Sequence, residues 1–327
     1  APVRVNNVPG DAHAHAQAPA QVAVGAGGDV YVAWVTSREV EGRRFPATDL
    51  RFARSTDGGR TFAPALTIND DAGELPAGHS FHDLAVGPEG TIYVAWLDSR
   101  EQARAEARHG DDAEGPGTEL RVARSADGGR SFAPGVVVAQ GTCECCRASV
   151  EVGTDGTLFV AWRHQFGPDV RDVAVARSTD GGRTFTAPAR VHRDDWRIAG
   201  CPHSGPSVQV DVAGRTHVAW YTGAEGRVGL HYAVAADALR GFRAPTRLAA
   251  DVPVSQVKVA TSGAVAWLAY EDARAGRVVL ARSEQRGAVQ EIARFTGELP
   301  ALAATRTQVV LAWKGPDGVQ AHRRSVG

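Results

Sequence analysis

The residues best suited to chemistry are four cysteines and a group of histidines. Cys143, Cys145 and Cys146 fall within one short segment, and Cys201-Pro202-His203 follows later. Thiolate and imidazole together are donors for copper or zinc, with copper favoured by the soft sulfur set. The spacing is not that of a zinc ribbon. His82, followed by Asp83, and His15 are further ligand candidates. His13 and His15 alternate, so an extended backbone turns both rings the same way. A second outcome stays open beside the metal. Four thiols can form two structural disulfides in an exported protein. Adjacent Cys145 and Cys146 are poor partners for each other, so one of them would pair with Cys201. Asp83, His164, Arg171 and Asp172 are the acid, base or ligand-orienting candidates. For Arg171 and Asp172 an ordinary salt bridge is the simpler alternative.

These residues need elements to position them, and the sequence supplies a repeat. Tyr31-Val32-Ala33-Trp34, Tyr93-Val94-Ala95-Trp96 and Phe159-Val160-Ala161-Trp162 share one pattern. His217-Val218-Ala219-Trp220 and Val310-Leu311-Ala312-Trp313 repeat it, and Trp267-Leu268-Ala269-Tyr270 is a degenerate copy. A short apolar strand and a Gly turn precede each copy, and a strand ending in Ala-Arg-Ser or its remnant follows. Alternation with turn punctuation predicts strands throughout and no long helix. The period of roughly 45 to 65 residues, at four strands per unit, is that of a β-propeller blade.

The expected fold is therefore all-β: one six-bladed β-propeller domain over 1–327, with four-stranded antiparallel blades. The blades are expected near 12–69, 80–138, 148–192, 205–249, 254–295 and 300–327 with 1–6. Ala1-Pro2-Val3-Arg4-Val5 matches the outer strands that begin Ala63-Pro64 and Ala133-Pro134. It is expected to complete the last blade and close the ring, which removes an exposed edge. In such a fold the loops entering the blades open on one face. They carry His13 and His15, then His79, His82 and Asp83, then the three clustered cysteines, then His192, Trp196, Cys201 and His203. Loops between second and third strands add Asp98, Arg100, His109, His164, Arg171 and Asp172 on the same face. The segment from Leu97 to Thr118 is long and charged and reads as a flap.

Three blades carry one turn motif: Ser55-Thr56-Asp57-Gly58-Gly59-Arg60-Thr61-Phe62, its copy at Ser125–Phe132, and its copy at Ser178–Phe185. Asp57, Asp127 and Asp180 are expected to bond the turn's own amides. The glycines supply positive φ, and each Phe folds back as an apolar plug. The motif resembles the Asp-box (BNR) repeat of sialidase-like six-bladed propellers, and the resemblance runs along nearly the whole chain. It implies a structural role for the three aspartates, away from the usual active face. It also implies a sialidase apparatus: an Arg-Ile-Pro segment, an arginine cluster, a Tyr-Glu pair and an Asp acid. Here the first of these reads Gln17-Ala18-Pro19, without the arginine, and the second pair corresponds to Tyr270-Glu271.

Composition bounds the partners. Thirty-six basic residues against 37 acidic ones give a net charge of -1, which argues against phosphate neutralisation on nucleic acid. No apolar run is long enough to span a membrane as a helix. No Gly-rich phosphate loop is present, so no nucleotide cofactor is expected. The chain has no Met and begins Ala-Pro-Val, which reads as a mature, exported form, periplasmic or extracellular. The reading these features favour is a metal-dependent, copper-containing oxidoreductase acting on a small molecule. Its class rests on fold-level analogy. The alternatives are a sialidase-like glycoside hydrolase and a non-catalytic metal- or ligand-binding propeller with structural disulfides.

Overall fold

The computed structural model describes residues 2–13, 18–42, 45–110, 117–237, 240–283 and 288–326. Six antiparallel sheets follow one another along the chain. The first holds β1 (Gln21–Val24), β2 (Val30–Arg38), β3 (Ala47–Ser55) and β4 (Leu66–Thr67). The second holds β5 (His79–Val86), β6 (Ile92–Asp98), β7 (Glu119–Ser125) and β8 (Val136–Ala139), with helix α1 (Arg100–His109) between β6 and β7. The third holds β9 (Ser149–Val152), β10 (Leu158–Gly167), β11 (Val170–Ser178) and β12 (Ala189–Arg190). In the fourth, β13 (Ser207–Val210), β14 (Thr216–Thr222) and β15 (Gly229–Asp237) are joined by β16 (Arg240–Phe242) and β17 (Thr246–Ala250), both paired to β15. The fifth holds β18 (Val257–Ser262), β19 (Val265–Asp272), β20 (Arg277–Ser283) and β21 (Val289–Thr296). The sixth holds β22 (Glu298–Ala304), β23 (Gln308–Gly315) and β24 (Gly318–Ser325). This is the six-bladed β-propeller expected from the repeat. The chain divides into two compact units: Ala1–Val160 with Arg177–Ala187, and Ala161–Ala176 with Pro188–Gly327.

The repeated Val-Ala-Trp strand forms the core because both of its faces are covered. All seven residues of β6 are buried. Trp96, Trp162 and Trp220 are almost wholly enclosed. In the first unit, Tyr31, Leu50, Phe52, Ile92, Val94 and Trp96 share one apolar cluster from two successive sheets. In the second unit, Tyr221, Leu230, Tyr232, Val257, Leu268 and Tyr270 form another.

The three Asp boxes are built alike. Ser55 Oγ donates to Asp57 Oδ1 at 2.6 Å, and the amides of Arg60 and Thr61 donate to the same oxygen at 2.9 Å. Thr61 Oγ1 donates to Asp57 Oδ2 at 2.6 Å. Asp127 and Asp180 repeat the pattern. These donors hold all three carboxyls well below the usual carboxylate range, the Ser55 hydroxyl first for Asp57 and the residue-131 and residue-184 hydroxyls first for the other two. Phe132 plugs as expected, edge-on to Phe52 at 5.0 Å. The Arg of two Ala-Arg-Ser strands has a use the sequence did not reveal. Arg54 Nη1 donates to Gly128 O in the next blade's box, and Arg124 Nη1 to Gly181 O in the box after that.

Two details differ from expectation. The sixth sheet has three strands, and residues 2–6 are not in a strand. Val5 packs instead against Val32, Trp34 and Ala53 of the first blade, and Asn7 Oδ1 accepts the Ala65 amide. The Ala-Pro-Val segment thus caps the blade it precedes. Second, the charged stretch after β6 begins with α1. Its composition, Arg-Glu-Gln-Ala-Arg-Ala-Glu-Ala-Arg-His, is rich in good helix formers. Only Ala103 and Ala105 give it a buried apolar side, so no hydrophobic stripe announces it. No helix among the described residues is long and apolar enough to cross a membrane.

Candidate functional site

In the first unit, the end of β6, the start of β5 and the segment after β4 gather a polar network. Asp98, Asp71, His79 and Arg100 are each at most 5% exposed. Arg100 sits at the first position of α1. Its Nε donates to Asp98 Oδ1 at 2.9 Å, its Nη2 to Asp98 Oδ2 at 2.8 Å, and its Nη1 to Asp70 at 2.7 Å. The same Nη2 lies 3.2 Å from Asp71. Trp96 Nε1 donates to Asp98 Oδ2 at 2.8 Å, so the repeat tryptophan also anchors this carboxylate.

His79 faces acceptors with both ring nitrogens: Thr48 O at 2.6 Å from Nδ1, and Asp71 Oδ1 at 3.0 Å from Nε2. A carbonyl and a carboxylate can both only accept, so the doubly protonated ring fits best. Burial alone would lower the His79 pKa. The Asp71 hydrogen bond, the charges of Asp98 and Asp71 and the Thr48 carbonyl outweigh it and raise it. Burial likewise opposes the Asp71 carboxylate, but His79, Asn69 and Arg100 hold its carboxyl well below the usual range. Asp49 and Asp70 form the accessible rim, with side chains 34% and 31% exposed. Asn69 Nδ2 bridges Asp49 at 2.9 Å and Asp71 at 3.1 Å.

The linkage sign for His79 follows from its raised folded pKa. Its stabilising contribution is complete below the unfolded value of about 6.5 and is lost as pH rises through the folded value. Asp71, with a depressed folded pKa, contributes above its unfolded value and loses that as pH falls. Thermal unfolding of the wild type is therefore expected to weaken from neutral to alkaline pH more steeply than that of His79→Gln. Parallel slopes for the two proteins would contradict the assignment.

The structure places the remaining candidates as follows. His82 is fully enclosed. A bulge in the β5–β6 pairing between Ser80 and Asp83 gives Phe81 a φ of 55° and turns His82 inward. Its Nε2 donates to Ala33 O at 3.1 Å, Nδ1 has no hydrogen-bond partner, and burial pushes its pKa down to about 4. Asp83 Oδ2 accepts the Val150 amide at 2.9 Å, which ties the second blade to β9. Cys143, Cys145 and Cys146 lie together, buried, with Sγ–Sγ distances of 3.2 Å (143 to 146) and 3.8 Å (143 to 145). No cysteine is in a disulfide. His15 and Gln17 lie outside the described residues.

In the second unit, Cys201 and His203 are exposed. Asp172 is buried, ion-paired to Arg190, and accepts the amides of Asp195 and Trp196. The salt-bridge alternative thus describes it, with Arg190 as the partner instead of its neighbour. The Arg171 amide donates to Trp196 O at 2.9 Å. His164 accepts from Trp162 Nε1 at 3.3 Å and meets Phe166 edge-on at 4.8 Å; burial lowers its pKa. The Tyr-Glu pair is built into the core. Tyr270 is 7% exposed. Glu271 accepts the amides of Gln256 at 2.9 Å and Leu299 at 2.5 Å. Arg163, also buried, donates to the carbonyls of Ser204, Arg171 and Tyr221.

No family model matches the chain, and no curated protein does. Solved structures do. A Hadza microbial sialidase, Hz136, superposes with a TM-score of 0.63 at 16% identity, over 94% of this chain and 65% of that one. The chain thus spans just under two thirds of that sialidase. A Penicillium chrysogenum alpha-L-arabinanase complexed with arabinobiose gives 0.60 at 14% identity, over 97% and 95% of the two chains. A Dyadobacter fermentans protein of unknown function gives 0.58 at 17%, over 98% and 97%. At these identities the likeness is one of fold: the chain is a sialidase-like six-bladed β-propeller. The copper-oxidoreductase expectation is corrected here. It rested on analogy with copper propellers, and the similar propellers of stated activity are described as a sialidase and an arabinanase.

Proposed function

We propose that the chain is a glycoside hydrolase. The observation that supports this reading is a shared fold, over 94% and 97% of this chain, with propellers described as a sialidase and as an arabinanase complexed with arabinobiose. Glycoside hydrolysis needs two carboxyl groups beside the scissile bond. Asp49 and Asp70 are the pair assigned here, because both reach solvent from an otherwise buried, rigid network. Asp70, paired to Arg100, suits the nucleophile or base. Asp49, which accepts from the Asn69 amide, is the second carboxyl of the pair. The engagement of Arg163 with backbone carbonyls and of Glu271 with backbone amides favours a neutral glycoside over a sialoside.

The test is a panel of fluorogenic glycosides, arabinofuranoside and sialoside included, with Asp49→Asn and Asp70→Asn alongside the wild type. Turnover of a neutral glycoside is expected. Each variant should lose about 100-fold or more in kcat, the usual scale of acid–base catalysis, while remaining folded by circular dichroism. Wild-type rates in both variants would remove these residues from the mechanism, and turnover of the sialoside alone would overturn the substrate class.

A further inference from the structure

The hydrolytic reading leaves the cysteine nest unused. Its three sulfurs come from four consecutive residues on the segment between β8 and β9, within one unit, and all lie within 4.8 Å of one another. Each cysteine is at most 4% exposed. Phe81, thrust out by its bulge, packs against them and walls the nest on one side. A metal bonded to three sulfurs at about 2.3 Å needs them about 3.8–4.0 Å apart. The 3.8 Å separation already meets this, and the 3.2 Å one needs to open by about 0.6 Å on the same scale. Such a change lies within side-chain rotation.

Arg147 directly follows the nest, is 3% exposed, and faces the charge of Asp83, with its Nη2 lacking a hydrogen-bond partner. We propose that Cys143, Cys145 and Cys146 bind one thiophilic d10 cation, Zn(II) or Cu(I), as thiolates. Binding releases the three thiol protons to solvent and changes no oxidation state. It is independent of the hydrolytic reading, since no carboxylate assigned to hydrolysis takes part.

The experiment loads the reduced protein with Zn(II), or with Cu(I) under reductant, against a chromophoric chelator. X-ray absorption is then recorded on the loaded protein. One ion per chain is expected, with sulfur neighbours at about 2.3 Å. The Cys143→Ser/Cys146→Ser protein should bind at least tenfold more weakly. Retention of zinc alone or copper alone supports the site and identifies its ion. A shell of oxygen and nitrogen without sulfur would overturn the proposal, since it would direct the ion to Asp71, His79 and Asp98. Undiminished binding in the serine variant, or no retained ion, would also overturn it. Should the variant fail to fold, the absorption spectrum of the wild type decides alone.

Discussion

Arg100→Met is expected to cost about 3–5 kcal/mol of stability, the scale for removing one partner of a buried ion pair. The methionine keeps the length of the side chain and removes the charge. Asp98 and Asp71, 0% and 4% exposed, then face each other across His79 without the guanidinium that separates them. That loss is a large share of the roughly 5–15 kcal/mol that holds a typical domain together. Arg104, one turn further along α1, is the internal control. It pairs with Glu74 and Glu101 at the surface, where such pairs contribute about 0–1 kcal/mol. Urea unfolding of Arg100→Met, Arg104→Met and the wild type measures both. Adding Asp98→Asn to Arg100→Met should restore part of the loss, since the amide oxygen still accepts from Trp96. Equal costs for the two arginines would contradict the account of the network.

Gly129→Ala should be nearly as damaging. Gly129 has a φ of 79°, and an added Cβ would lie 2.6 Å from Phe52 Cε1 and 3.3 Å from Ile92 Cδ1. The left-handed backbone costs an alanine about 1–2 kcal/mol, and overpacking a core adds about 1–3 kcal/mol. Phe52 cannot step aside without disturbing its contact with Phe132. Gly28 has a similar φ of 86° with nothing within 4 Å. Gly28→Ala should therefore show the backbone cost alone. Thermal melts of the two variants separate the terms, and equal shifts would deny the close approach of the Asp box to the core.

The blades were legible because the repeat is a packing rule. A strand covered on both faces reads as an unbroken apolar run ending in Trp, and the turns between strands read as Gly and Asp. The Asp boxes were legible for a related reason: the hydrogen bonds their aspartates accept come from within four residues. What escaped was held by long-range charge. Helix α1 lacks an apolar stripe and is anchored through Arg100, whose partners Asp70 and Asp71 lie 29 or 30 positions away. Asp98 and Arg100 were visible as loop residues on the active face, but nothing in their spacing showed that they are buried. Asp71 and Asp49 carried no signal at all. The cysteines were found from their spacing. A histidine in an entering loop reads as available, but the bulge at Phe81 turns His82 into the interior.

The central claim is hydrolysis of a glycosidic bond, and product release tests it most directly. The wild-type protein is incubated with arabinan and with a set of neutral and sialylated oligosaccharides, and freed sugars are followed by mass spectrometry. The account predicts that a neutral sugar accumulates linearly with time and enzyme. Intact substrates throughout, in a sample that remains folded by circular dichroism, would contradict it.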